Sequence, residues 1–551
     1  MIIARDEMVR PTLRWRSLGH LLESAAVEHT EKPLFIFKGA TISYGAINRR
    51  VNRIANGLRT KGVAHGDRVG VMLPNGVEFP VTWLAIAKLG AVMVPINTGY
   101  KEHDLAYILS DSEAETLVIH EDFLAVFENI RRRVGSLKRV VVLGHAPDGT
   151  ESFREMEEEA SPDFAIMGVG EDDLMNIQYT SGTTGFPKGC MLTHRYWMLL
   201  GSQLSEISGM RPDDVDLTVQ PFYYMDPQWN TVLCLVNGIP LVIVPRFSPS
   251  AFWQIVKEHG VTFVYVIGTM PYYLLNQDED PELEQNHALR VVYCSGINPQ
   301  HHELFERRWN VPWREAFGMT ETGCDLIVRV DDDERTGSGA LGDPFPGKEV
   351  KVIDGEGKEL AAGGAGELVI KGEPMMLGYW NKPDATARTI RDGWLHTGDL
   401  AVRDERGDIR LVGRIKDMVR RTGENISCTE VESVLVDHGS VAVAAVVPVP
   451  DQLRGEEVKA YLLLREGIAA ADVDPEEIIA FCKQRLAQFK IPRYIEFVDE
   501  LPRTPSERVE KHKLIEGKAD LRIGSYDAVQ GGWITESEMP HNDGESQPSE
   551  S

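Results

Sequence analysis

Residues 179–189 read Tyr-Thr-Ser-Gly-Thr-Thr-Gly-Phe-Pro-Lys-Gly, a concentration of hydroxyls and glycines with a single lysine. Glycines such as Gly182 let backbone amides turn toward a polyanion. The Thr180, Ser181, Thr183 and Thr184 hydroxyls add donors, and Lys188 adds a cation. The chemistry indicated is the wrapping of phosphate oxygens. It is not a Walker A loop, because Lys188 lies between Pro187 and Gly189 and lacks the required Gly before it and Ser or Thr after it. The plain alternative is a Gly/Ser hairpin with an exposed lysine, against which the whole string argues.

The rest of the chain limits what such a loop serves. Acidic residues outnumber basic ones, 84 to 58, for a formal charge of -26, a field that repels nucleic acid and anionic lipid. A bound polyanion must therefore be met by a few well-placed cations. The six cysteines show no CxxC pair and no zinc spacing, as expected of reduced thiols in a cytoplasmic protein. The start lacks a continuous apolar run, so no secretory signal is expected. The longest apolar stretch, near residues 231–245, is broken by Asn237, Gly238 and Pro240, so no membrane span is expected.

At 551 residues, two or more domains are expected to position the loop. A strand over residues 174–178 leads into it. Ile47, Val51, Ile54, Ala55 and Leu58 recur at helical spacing behind Ser43 as N-cap, and a buried strand follows over 68–73. A helix over 252–259 and a strand over 261–267 repeat the alternation. The fold expected is α/β: a large N-terminal domain with parallel-rich sheets, crossover helices and a β-rich subdomain, then a small α+β C-terminal domain. The boundaries read 1–415, 416–520, and an acidic, disordered tail over 521–551.

Further strings carry a resemblance. Residues 317–321, Phe-Gly-Met-Thr-Glu, together with Ser295-Gly296-Ile297, the Trp-Leu-His-Thr-Gly-Asp segment ending at Asp399, and Arg414, follow the glycine-rich loop in order. The chain resembles the adenylate-forming enzymes over roughly residues 20 to 515. That resemblance implies an ATP-dependent acyl-CoA ligase that makes an acyl-adenylate and then a CoA thioester. It implies that Phe317, with Glu315, Ala316 and Gly318, and Ser295–Ile297 enclose adenine. Thr320 would touch phosphate, Glu321 would hold Mg²⁺, and Asp399 with Arg414 would bind ribose. Lys416 resembles the family hinge, and Thr422, Gly423 and Glu424 resemble the pantetheine channel for CoA. The expected partners are ATP, CoA and a small carboxylic acid, in a monomer or homodimer.

The acyl pocket implied by the family is lined by Tyr223, Tyr224, Met225, Val266, Gly268 and Thr269. The strings at 214–219, 251–253, 424–428 and 489–492 resemble the carnitine/crotonobetaine-CoA ligase branch. Tyr223, Tyr224 and Trp229 would then form an aromatic box for a trimethylammonium group, with Asp226 as counter-charge; packing of aromatics into a pocket wall is the competing reading. One departure stands out. Relatives read Thr-Pro-x-Gly-Lys where residues 504–508 read Thr-Pro-Ser-Glu-Arg. Either Arg508 does the lysine's work, Lys511 substitutes, or the enzyme mainly performs thioesterification. A stand-alone enzyme that loads a carrier protein is a further alternative.

Overall fold

The computed structural model describes residues 11–180, 187–267, 270–415, 418–421, 424–451, 453–503 and 509–535. The chain divides into two units. The first holds Met1–Gly364, Leu368–Thr397 and Arg403–Arg410; the second holds Ala365–Glu367, Gly398–Val402 and Leu411–Ser551. The main change of unit thus falls slightly ahead of Lys416.

Two large sheets dominate the first unit. One has seven strands, ordered Glu151–Ser152, Arg139–Leu143, Thr116–His120, Arg68–Met72, Val92–Pro95, Leu174–Thr180 and Lys188–Thr193. It is parallel except for its last pair, which forms a hairpin. The other has nine strands, with a parallel run through Trp313–Met319, Val291–Ser295, Phe263–Ile267, Asp216–Thr218, Leu241–Ile243 and Pro33–Phe37, and antiparallel edges. Parallel strands need crossover connections, and the intervening helices supply them. The helix expected behind Ser43 is Tyr44–Thr60, and Ser43 Oγ accepts from Ala46 N at 3.3 Å. Ile47, Val51, Ile54, Ala55 and Leu58 are all fully buried, so the apolar spacing reads out directly as core. The helix expected over 252–259 begins earlier, at Pro249, where proline at the helix start gives up no intrahelical bond.

A five-stranded sheet combines Lys348–Ile353, Ala365–Gly372, Trp394–Arg403, Ile390–Arg391 and Ile409–Arg414. In the second unit, Val441–Asp451 and Gly455–Leu464 pair antiparallel along their length, and Tyr494–Val498 joins Gly455–Leu464 in parallel. Helices Cys428–Val436 and Pro475–Lys483 bury Val431, Leu435, Ile478 and Ile479 in this unit's own core.

The expectation of a tail over 521–551 fails at its front. Tyr526–Asp527 and Gly532–Trp533 extend the C-terminal sheet, the former against Tyr494–Val498. Asp527 is buried and receives Arg493 Nη2 at 3.1 Å, and the Trp533 ring packs on Phe497 and Tyr526. Strands of two residues leave no periodicity to read, and the partner of the first, Tyr494–Val498, lies some thirty residues back in the chain. Residues 536–551 lie outside the described residues.

Candidate active site

In open α/β sheets ligands bind beyond the carboxyl ends of the parallel strands. In the nine-stranded sheet Ile267 stands opposite Ser295 and Cys294 opposite Glu315, so segments 295–297 and 315–317 run side by side at that edge. Glu315 clamps them together: Gly296 N donates to Oε1 and Ile297 N to Oε2, both at 2.7 Å. Burial pushes the Glu315 carboxyl up to about 7, while the two amide donors pull the other way. Ser295 Oγ donates to Ala316 O and accepts from Tyr265 OH at 2.8 Å. Gly318 cannot be replaced without movement, because a Cβ there would lie 2.0 Å from Gly323 O. Phe317 is half-buried beside this turn. Two backbone segments fixed side by side, one carrying an aromatic ring, present groups that could bind a purine.

The glycine-rich string joins Leu174–Thr180 to Lys188–Thr193, with Thr180 opposite Lys188. Ser181, Gly182, Thr183 and Thr184 lie outside the described residues. At the stem, Thr180 Oγ1 donates to Lys188 O at 3.4 Å, and Lys188 Nζ sits 4.3 Å from the centre of the Tyr379 ring. Tyr379 OH donates to Glu321 Oε1 at 2.7 Å. Glu321 is only 7% exposed; its carbonyl accepts from Met376 N, and the Thr320 carbonyl accepts from Tyr196 OH. The next residue, Thr322, rests on a fully buried pair, Lys348 and Asp325, 3.4 Å apart. Lys348 Nζ donates to the carbonyls of Thr322 and Pro374, and Thr322 Oγ1 to Asp325 Oδ2. Burial lifts the Asp325 carboxyl to about 6, opposed by the Lys348 ammonium. Among the described residues no group of three or more His, Cys, Asp or Glu side chains is placed to hold a metal ion. The Glu321 carboxylate offers a hard oxygen of the kind Mg²⁺ takes together with phosphate and water.

The strand Asp216–Thr218 leads to Tyr223 and Tyr224, whose ring centres lie 4.8 Å apart. A buried amide network fixes their backbone. Gln178 Nε2 donates to Tyr223 O, Gln228 Nε2 to Tyr224 O and Phe222 O, and Asn176 Nδ2 to Gln228 Oε1. Met225 opens the following helix, Met225–Asn237, and packs partly on the main core. Trp229 is not an open aromatic face. It is 5% exposed, its indole donates to Asp226 Oδ1 at 3.3 Å, and its ring meets the Tyr265 ring edge-on. Val266 also departs from expectation. It is wholly buried in the second core cluster with Val219, Val242 and Val264, because alternate strand residues face opposite ways, and Tyr265 takes the side toward Ser295. Gly268 and Thr269 lie outside the described residues.

Within the second unit, Arg414 Nε lies 2.6 Å from Asp399 Oδ1. Gly398 N donates to Glu367 Oε1, and Ile415 N to Gly398 O. Lys416, Thr422 and Gly423 lie outside the described residues, and Glu424 opens the strand Glu424–Ser427. Arg508 lies outside them too, between Arg503 and Val509, which form an antiparallel bridge. Lys511 opens the short helix Lys511–Ile515, with Nζ 2.8 Å from Glu432 Oε1, an oxygen that also accepts from Val446 N.

Residues 22–380 match the AMP-binding enzyme family, and residues 430–508 match the AMP-binding enzyme C-terminal domain. The chain belongs to the AMP-binding enzyme family. It is an AMP-forming acid–thiol ligase, with ATP and CoA as the substrates that fit this family. Curated members similar to it include a crotonobetaine/carnitine–CoA ligase of Citrobacter koseri, 32% identical over 91% of this chain and 99% of that one. Another, of Escherichia fergusonii, is 34% identical over 85% of this chain and 92% of that one. Among solved family structures, the anthranilate CoA ligase AuaEII with anthranoyl-AMP superposes with a TM-score of 0.84 at 27% identity, covering 92% of this chain and 97% of that one. ATP-bound MatB from Rhodopseudomonas palustris gives 0.81 at 31% identity, with coverages of 90% and 98%. Among the described residues no helix is long and apolar enough to cross a membrane.

Sequence reasoning missed several parts of this family site. Tyr379 and Tyr265 bond to Glu321 and Ser295, but nothing in their own strings signals partners 58 and 30 positions away. The Lys348–Asp325 pair was equally silent; a lysine in a strand reads as a surface charge until its burial is known. For Tyr265, the alternation of its strand could have pointed to the correct face.

Proposed function

We propose that this ligase activates a small or medium carboxylic acid carrying a quaternary ammonium, using Mg²⁺ and ATP, and passes the acyl group to CoA. Asp226 carries the reading: it is a half-buried carboxylate in the first turn of Met225–Asn237, next to the Tyr223–Tyr224 pair and held by the Trp229 indole. A carboxylate beside aromatic faces suits a cation that has no hydrogen bond to donate. The relatives' names support this choice, since crotonobetaine and carnitine are trimethylammonium acids.

In the first step a carboxylate oxygen of the acid attacks the α-phosphorus of ATP, and pyrophosphate leaves. In the second the CoA sulfur attacks the acyl carbon, and AMP leaves. The 179–189 loop donates amides, hydroxyls and the Lys188 ammonium to phosphate oxygens. Segments 295–297 and 315–318 hold adenine, Thr320 contacts phosphate, and Asp399 with Arg414 takes the ribose hydroxyls. Mg²⁺, held by Glu321 when bound, supplies neutralising charge at the phosphates. Arg508 bridges the acid's carboxylate and the α-phosphate, a role its planar fork can fill. The Lys511–Glu432 ion pair supports Arg508 over Lys511, since Lys511 would have to leave a buried-edge partner to serve. Lys416 acts as the pivot and Thr422, Gly423 and Glu424 line the pantetheine path. No protein nucleophile is needed; all six cysteines are unpaired and buried, which supports a reducing, cytoplasmic setting.

The test compares a trimethylammonium acid with its tert-butyl isostere, reading AMP and acyl-CoA. We expect kcat/KM to favour the cation by about tenfold or more, and Asp226→Asn, which keeps an oxygen for Trp229, to erase most of that preference. Equal use of the two acids by the unaltered enzyme refutes the substrate reading.

A further inference from the structure

We propose that Tyr379 is a positioning residue that ties the metal-binding carboxylate, Glu321, to the phosphate-loop lysine, Lys188. The proposal rests on the reading of Glu321 as the Mg²⁺ ligand. Tyr379 touches both groups with different parts of one side chain: the hydroxyl donates to Glu321 Oε1 at 2.7 Å, and the ring lies 4.3 Å from Lys188 Nζ. The hydroxyl engages one carboxylate oxygen, Oε1, which fixes the carboxylate plane. The ring holds the ammonium at the loop stem by cation–π attraction.

Its own placement is over-determined. Segment 377–380 runs antiparallel along the strand Lys188–Thr193: Leu377 N donates to Met191 O, Met191 N to Gly378 O and Trp380 N to Gly189 O, all between 2.8 and 2.9 Å. Gly378 adopts φ 140°, and a Cβ there would lie 2.7 Å from Thr386 Cγ2, so the chain packs against the next helix where only glycine fits. Tyr379 N donates to Thr386 Oγ1, and the Trp380 indole donates to Asp111 O. Tyr379 is 4% exposed, and its hydroxyl faces Glu321 as a donor. A merely structural tyrosine needs only some acceptor; here the acceptor is the carboxylate read as the metal ligand.

Calorimetric binding of a non-hydrolysable ATP analogue to the full chain, with and without Mg²⁺, tests this independently of turnover. Tyr379→Phe removes only the hydroxyl. It should cut the Mg²⁺-dependent gain in affinity by about tenfold, the scale of a lost hydrogen bond to a charged group, and leave metal-free affinity unchanged. Tyr379→Leu should also weaken metal-free binding about threefold, and in a Lys188→Ala background it should weaken metal-free binding no further, because the ammonium that the ring holds is already gone. An unchanged Mg²⁺-dependent gain in Tyr379→Phe overturns the proposal. So does a Tyr379→Phe chain that melts early and binds weakly with and without Mg²⁺ alike. Glu321→Ala separates the two layers. If it keeps the Mg²⁺-dependent gain, the reading of Glu321 falls; if it loses the gain while Tyr379→Phe keeps it, only the role of Tyr379 falls.

Discussion

Glu315, the carboxylate that pins segment 295–297, makes the fold respond to pH through its ionisation. Its carboxyl is raised to about 7 by burial, above the ordinary carboxyl value of 4.5, so the folded chain binds this proton more tightly than the unfolded one. The stabilising contribution is therefore full below the ordinary value and is lost as pH rises toward about 7. Melting curves between pH 4.5 and 8 should show this downward component in the unaltered protein and lose it in Glu315→Gln. The same variant gives up one of two N–H acceptors and should bind nucleotide more weakly by about 1 kcal/mol. At Arg508, alanine should slow adenylation at least about tenfold and largely spare thioester formation from supplied acyl-adenylate. Lys511→Ala should instead leave adenylation near normal, because its ammonium is engaged by Glu432. The reverse pattern, read by pyrophosphate release, would transfer the role to Lys511.

The short strands after residue 520 belong to the C-terminal sheet. Lys459 is fully buried and donates to Leu521 O as well as to Glu496, and Arg493 pairs with the buried Asp527. Removing residues 521–551 takes the Leu521 carbonyl from Lys459 and Asp527 from Arg493, which keep Glu496 and Asp451, and should destabilise this unit by about 1–3 kcal/mol. Removing only 536–551 should leave the melting temperature of this unit unchanged. Calorimetric scans of the two truncations distinguish a folded edge from a dispensable tail. The Lys348–Asp325 pair, by contrast, belongs to the shelf under Glu321, and its carboxyl is already pushed to about 6.

At the scale of the molecule, two units have separate cores, and the chain passes for the last time from one to the other between Arg410 and Leu411, a few residues ahead of Lys416. If that residue is the pivot, Lys416→Pro should slow thioester formation from supplied acyl-adenylate by at least about tenfold, with adenylation much less affected. Equal loss in both half-reactions would place the hinge elsewhere.

What the sequence determined by itself was whatever is encoded between near neighbours. The glycine-rich string, the Thr320–Glu321 motif and Asp399 keep their order in any fold of this family. The helix behind Ser43 and the helix Cys428–Val436 follow from caps and apolar spacing that a linear reading can count. Only the tertiary structure decided which face of a strand a residue takes, as with Val266 in the core and Tyr265 beside Ser295. It also decided which distant groups meet: Tyr379 on Glu321, Lys348 on Asp325, Lys511 on Glu432, and Asp527 on Arg493. The reason is physical. Local signals act through dihedral preference and periodicity, whereas burial and pairing of charges depend on segments that chain closure brings together from far apart.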